Sequence, residues 1–293
     1  MAFQRYLAEE VAIDHADGVY PRREALRRLA LLGLGVPAAS ALLAACGGDG
    51  GQATTATSGA AAPPGPAVAT QGVSFRGPEG RTLQGAWAAA DQPRGAVLVV
   101  HENRGLTDHI RSVAGRLAAS GYSALAIDLL SAEGGTAALG DEARAMAALS
   151  SAPQERFVAD MRAGLDELER RASGQKLGAI GFCFGGGMVW LLLASGEPRL
   201  AAAAPFYGPL PDGADFSGST AAVLGVYAEL DGRVNASRDA AAAALERAGL
   251  THEIVTYPGV DHAFFNDTGP RYDQGAATAA YAKLLDWFGR HLR

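Results

Sequence analysis

The chain has 293 residues, 48% hydrophobic and 19% charged, which is enough apolar material for a sizeable buried core. Its formal net charge is −6, with no basic tail and no run of like charges, so nothing offers the basic face that nucleic-acid binding requires. The two cysteines, Cys46 and Cys183, lie in unrelated surroundings and argue against a disulfide framework or a structural zinc site.

The first segment reads as an export signal. Pro21–Arg28 (PRREALRR) is basic, and the apolar stretch Leu29–Ala45 follows at once, the layout of a secretory leader. That stretch contains Pro37 and is marginal in length for a spanning helix. Its end, Leu43-Ala44-Ala45-Cys46, resembles a bacterial lipoprotein processing site, in which Cys46 becomes the lipidated first residue. Arg22-Arg23 resembles a twin-arginine signal, although Pro21 and Ala25 depart from the usual residues. The expectation is export, with contact to a membrane only through a lipid anchor; an uncleaved anchor or a buried helix is the plainer alternative. Residues 47–71 carry almost no large side chains and cannot offset the entropy of ordering. This predicts a flexible linker, with residues 1–46 as leader and 72–293 as the folded domain.

From Gly72 short apolar runs alternate with helical patterns. Val73–Arg76 and Thr82–Ala88 flank the turn-prone Gly77-Pro78-Glu79-Gly80 and predict a hairpin. Ala96–Val100 is apolar throughout, as in a strand buried on both faces. A helix follows over Asp108–Ala119, a strand over Ser123–Leu129, a helix over Glu155–Arg171 and a strand over Leu177–Gly181. The remaining expectations are a helix over Gly185–Ala194, strands over Ala201–Tyr207 and Ala222–Tyr227, a helix over Ser237–Ala248, a strand over Glu253–Tyr257 and a closing helix over Ala276–His291. This alternation predicts an α/β fold, a mostly parallel sheet with helices on both faces and reactive groups beyond the carboxyl ends of its strands.

The chemistry-bearing residues fall at those ends. Gly181-Phe182-Cys183-Phe184-Gly185 joins a strand to a helix and fits the G-x-nucleophile-x-G turn, with cysteine where serine is usual. The glycines suit so tight a turn, and the helix N-terminus favours a thiolate. A structural cysteine in a glycine-rich turn is the competing interpretation. Asp231 follows the strand Ala222–Tyr227, and His262 lies in the loop after the last strand. Nucleophile, acid and histidine therefore occur in the chain order of α/β-hydrolases. His262 is expected to act as general base toward Cys183, and Asp231 to orient the imidazole. Asp261, adjacent to His262 in sequence, is a poor orienter. His15, His109, His252 and His291 read as ordinary surface residues.

Four motifs in order, His101-Glu102-Asn103-Arg104-Gly105, GFCFGG, AELDGRVN and GVDHAFF, resemble the dienelactone hydrolase family from Gly72 to the C-terminus. The resemblance implies an α/β-hydrolase fold, a small ester or lactone substrate and an acyl-thioester on Cys183. It implies that Glu102 contacts the thiol and that the backbone N–H groups of Phe184 and Asn103 form the oxyanion hole. Beside a cysteine, a carboxylate disfavours the thiolate until substrate arrives; pairing of Glu102 with Arg104 or Arg111 is the structural alternative. Family members that act on dienelactone hold its carboxylate with an arginine four residues after the histidine. Asn266 stands there, which leaves Arg104, Arg233 or Arg271 as substitutes. Acyl transfer on the same scaffold and a binding-only surface lipoprotein are the alternative functions. HENRG lacks the H-E-x-x-H pattern, no metal-ligand cluster is visible and no G-x-G-x-x-G follows the first strand, so no metal or cofactor is expected.

Overall fold

In the computed structural model, residues 3–46 and 65–293 are described. Three helices come first, α1 (Phe3–Ala16), α2 (Arg22–Leu31) and α3 (Val36–Cys46). The sheet domain follows as β1 (Gln71–Arg76), β2 (Thr82–Ala88), β3 (Ala96–Val100), α4 (Asp108–Ala119), β4 (Ser123–Asp128), α5 (Thr136–Leu139), α6 (Glu142–Ser151), α7 (Gln154–Arg171), β5 (Leu177–Phe182), α8 (Phe184–Ala194), β6 (Leu200–Phe206), β7 (Ala222–Ala228), α9 (Gly232–Asn235), α10 (Arg238–Arg247), β8 (His252–Tyr257) and α11 (Gln274–His291).

The eight strands make one sheet in the order β1-β2-β4-β3-β5-β6-β7-β8. β1 and β2 pair antiparallel with each other, β2 runs antiparallel to β4, and the other pairings are parallel. β3, β4 and β5 are buried along their whole length, as their unbroken apolar runs require when helices cover both faces. α4 and α11 meet through the Ser120–Tyr281 hydroxyl pair on one face, while α7 and α8 pack together on the other. The register between β3 and β5 aligns Val100 with Gly181, so the loop beginning at His101 and the turn carrying Cys183 leave the sheet side by side.

The predicted strands and long helices are present within a few residues of their expected limits. The α/β-hydrolase arrangement, a mostly parallel sheet with helices on both faces, is the fold of this chain. The N-terminal segment is helical. Residues 3–46 do not stand apart from the sheet domain but pack on it as α1, α2 and α3, burying Tyr6, Leu7, Val11, Ala25 and Leu29. Among the described residues no helix is long and apolar enough to cross a membrane. The expected linker falls largely on residues 47–64, outside the described residues. Its last part lies against α4, where the Val68 N–H donates to the Gly115 carbonyl at 3.2 Å. A Cβ on Gly115 would come 2.2 Å from the Val68 carbonyl oxygen, so this close seating requires glycine.

Candidate active site

The turn after β5 places Cys183 at φ 56°, ψ −120°, a strained backbone conformation for a residue with a side chain. Its N–H donates to the Phe206 carbonyl at 3.1 Å, which ties the turn to β6. A Cβ on Gly181 would meet the Gly185 carbonyl oxygen at 2.1 Å. One on Gly185 would meet the carbonyl oxygens of Val100 and His101 at 2.3 and 2.5 Å. Both glycines are therefore steric necessities, and the turn thrusts the sulfur out at the N-terminus of α8. Phe184 is the first residue of that helix, where a backbone N–H has no acceptor within the helix.

Asp231 caps α9. Its Oδ1 accepts the Val234 N–H at 3.1 Å and its Oδ2 pairs with His262 Nδ1 at 2.5 Å. The chain thus brings Cys183, Asp231 and His262 together, all nearly fully buried. Asp261 turns to the backbone instead, accepting the His262 N–H at 2.6 Å.

Glu102 does not pair with Arg104 or Arg111. Its Oε2 accepts from Asn266 Nδ2 at 2.6 Å, and its other oxygen is buried with no hydrogen-bond partner. The residue in the expected arginine position is thus engaged with Glu102. The loop bearing Glu102 and Asn103 is fixed by His101, whose Nε2 accepts the Leu129 N–H at 3.1 Å while Nδ1 lies 2.7 Å from the Glu102 carbonyl. Burial lowers the His101 pKa, consistent with a neutral ring making both bonds.

The sequence reading had no role for α1, yet that helix crosses the mouth of the site. Tyr6 Oη lies 3.4 Å from Cys183 Sγ, and the thiol is 3.7 Å from Glu10 Oε1. The same carboxylate oxygen is 3.3 Å from His262 Nε2, an ion pair without hydrogen-bond alignment. Glu10 Oε2 pairs with Arg233, whose guanidinium also stacks 4.1 Å from the Tyr6 ring centroid and donates to the Tyr6 carbonyl at 3.0 Å. The sequence did carry a signal for this face. Phe3, Tyr6, Leu7, Glu10, Val11 and Asp14 recur at helical spacing, and all six are buried.

These neighbours shift the proton affinities of the site. Burial raises the Glu10 pKa, but His262 and Arg233 overcome it and bring it to about 2. Burial alone would lower the His262 pKa; Glu10 and Asp231 hold it well above the ordinary value. The Cys183 thiol is pushed up by burial and by Glu10, with His262 compensating only in part. The helix N-terminus favours a thiolate, while burial and Glu10 act in the opposite direction. Arg104 and Arg271 border the same recess, Arg104 donating to Tyr20 Oη at 3.1 Å and Arg271 pairing with Asp14 at 2.9 Å.

Among the described residues, Glu10, Cys183 and His262 offer donor atoms within 4.8 Å of one another and form a set able to hold a metal ion. The sequence hid it because Glu10 lies 173 residues before the cysteine. His109 departs from its expected surface position: it is buried, and Nδ1 pairs with Asp267 at 2.5 Å beside the equally buried Arg116.

The dienelactone hydrolase family model matches residues 83–292. A protein of Escherichia coli O157:H7 provisionally named carboxymethylenebutenolidase is 32% identical over 219 residues, covering 69% of this chain and 79% of its own. A Methylorubrum extorquens protein with the same provisional name is 32% identical over 223 residues, covering 70% of this chain and 75% of its own. The crystal structure of a Klebsiella pneumoniae protein, provisionally titled a dienelactone hydrolase, superposes with a TM-score of 0.66 at 29% identity, covering 76% of this chain and all of that one. The match runs from β2 through α11 and includes every strand end that carries Glu102, Cys183, Asp231 or His262. This chain belongs to the dienelactone hydrolase family.

Proposed function

We propose that the chain hydrolyses small esters or lactones through an acyl-thioester on Cys183. The observation that carries this reading is the file of Asp231, His262 and Cys183. The acid is bonded to Nδ1 at 2.5 Å, and Nε2 faces a sulfur held out by a strained turn. In the reaction His262 Nε2 takes the thiol proton as sulfur attacks the acyl carbonyl. The N–H groups of Phe184 and Asn103 receive the oxygen that becomes negative. Collapse expels the alkoxide, which takes the proton from His262. Water, deprotonated by the same imidazole, then attacks the thioester; the C–S bond breaks, the departing thiolate takes the proton back from His262, and the acid is released. Asp231 fixes the tautomer and stabilises the imidazolium. Glu102, with one carboxylate oxygen unpartnered, is a negative neighbour that adds to burial and Glu10 in raising the thiol.

The names of the relatives support a lactone or enol ester as substrate class. With Asn266 engaged by Glu102, any substrate carboxylate falls to Arg104, Arg233 or Arg271, which border the site. The leader-like sequence ending at Cys46 supports an exported, lipid-anchored protein. Steady-state hydrolysis of p-nitrophenyl esters and of small lactones by the chain and its Cys183→Ala variant tests the enzymatic reading. Turnover that survives the substitution removes it.

A further inference from the structure

The space beside Cys183 is a cavity of about 40 Å³, and that beside His262 and Asp231 about 80 Å³. Small-molecule sites generally need roughly 300 Å³ or more. An ester cannot reach the sulfur while α1 is in place. The atoms that fill the mouth are the Glu10 carboxylate and the Tyr6 hydroxyl, and they stand where an acyl carbonyl and its leaving oxygen must sit, against Sγ and Nε2.

We propose that α1 is an intramolecular plug that occupies the substrate position and keeps the hydrolase latent until residues 3–46 are displaced. This rests on the hydrolase reading of the same site. Three features make the helix a ligand of the site rather than part of its frame. First, its seat is polar and specific: Glu10 engages Arg233, Tyr6 stacks on that guanidinium, and Asp14 and Asp17 engage Arg271. Second, its apolar side rests on the turn itself, with the Phe3 ring 5.7 Å from that of Phe184. Third, α1 contributes no strand and no crossover to the sheet, whose eight strands are complete without it. α2 holds the plug down through Arg27 and Arg28, which pair with Asp141 and Glu142 near α6.

The plug also disarms the chemistry. Glu10 Oε1 stands 3.3 Å from Nε2, against the nitrogen that must accept the proton from sulfur. Hydrolysis of the peptide bond before Cys46, the event that the leader-like sequence implies, would free α1 together with the leader.

The test uses the full chain. Leu7→Asp puts a charge into the fully buried side of α1, and Glu10→Ala removes its polar anchor. Two rates are read, alkylation by iodoacetamide at the peptide bearing Cys183 and hydrolysis of p-nitrophenyl acetate. A population shift toward the open form raises both by roughly ten-fold or more in each variant. Alkylation as fast in the parent as in the variants overturns the plug. So does slower hydrolysis in a Glu10→Ala chain that keeps its thermal transition, because α1 is then part of the machinery. Faster alkylation with no hydrolysis in any chain upholds the plug and removes the hydrolase reading instead.

Discussion

Glu10 and Asp231 grip the His262 imidazole from its two nitrogens, Asp231 at 2.5 Å from Nδ1 and Glu10 at 3.3 Å from Nε2. A histidine between two buried carboxylates is an ion triad. Burial disfavours its charge, but the two anions outweigh burial. The same Glu10 carboxylate, together with burial, raises the Cys183 thiol. In the proposed mechanism the second carboxylate must withdraw, because a single acid at Nδ1 orients the ring without occupying its basic nitrogen.

Replacing Asp231 by Asn keeps the shape of the acid but loses its charge. The expected result is a fall in kcat of about 10³- to 10⁴-fold on an activated ester, with a smaller change in KM. His262→Asn is expected to fall at least as far. Combining it with Cys183→Ala adds little, because residues that act as a unit are non-additive. Steady-state kinetics on the three variants checks this.

The sulfur should alkylate with an alkaline profile. Burial and Glu10 push the Cys183 thiol up, so the rate of carboxymethylation in the parent should still be climbing where an ordinary thiol has levelled off. Glu10→Gln removes a neighbouring negative charge and moves the midpoint down. An unmoved midpoint in that variant would show that Glu10 does not govern the thiol.

Asp267 serves both His109 and Arg116 in a buried cluster on α4. Asp267→Ala leaves a guanidinium that is almost wholly buried without its acid and should cost about 3 kcal/mol, read as a lower urea midpoint. Burial raises the Asp267 pKa, but the His109 bond and Arg116 bring it below the ordinary value. A depressed acid contributes stability above its unfolded pKa, near 4, that is lost as the pH falls through the lower folded value. Relative to the parent, Asp267→Asn should therefore show a shallower loss of stability in that acid range.

Gly185→Ala drives a methyl into the carbonyl oxygens of Val100 and His101. Val100 cannot retreat, since β3 is paired on both sides, and His101 is fixed through its ring. A loss of about 3 kcal/mol and a displaced turn are expected, with activity falling alongside the thermal transition. Gly232→Ala, where a Cβ meets nothing within 4 Å, is the matched control.

Much of the sheet domain was legible in the chain because its signals are local. Unbroken apolar runs marked β3 to β5, and short turns marked the strand ends where Cys183, Asp231 and His262 lie. What escaped depends on distant partners. Nothing local announces that Glu10 will meet Arg233 across 223 residues. The engagement of Asn266 with Glu102 was hidden for the same reason, with 164 residues between them. His109 looked like an exposed helix residue because its partner, Asp267, comes from the far end of the chain.

Cys183 occupies a backbone well that suits glycine far better than any residue with a side chain. A glycine there would relax the turn and firm up the native state while removing the proposed nucleophile. On the proposed mechanism, the sulfur at this position therefore trades durability of the fold for reactivity.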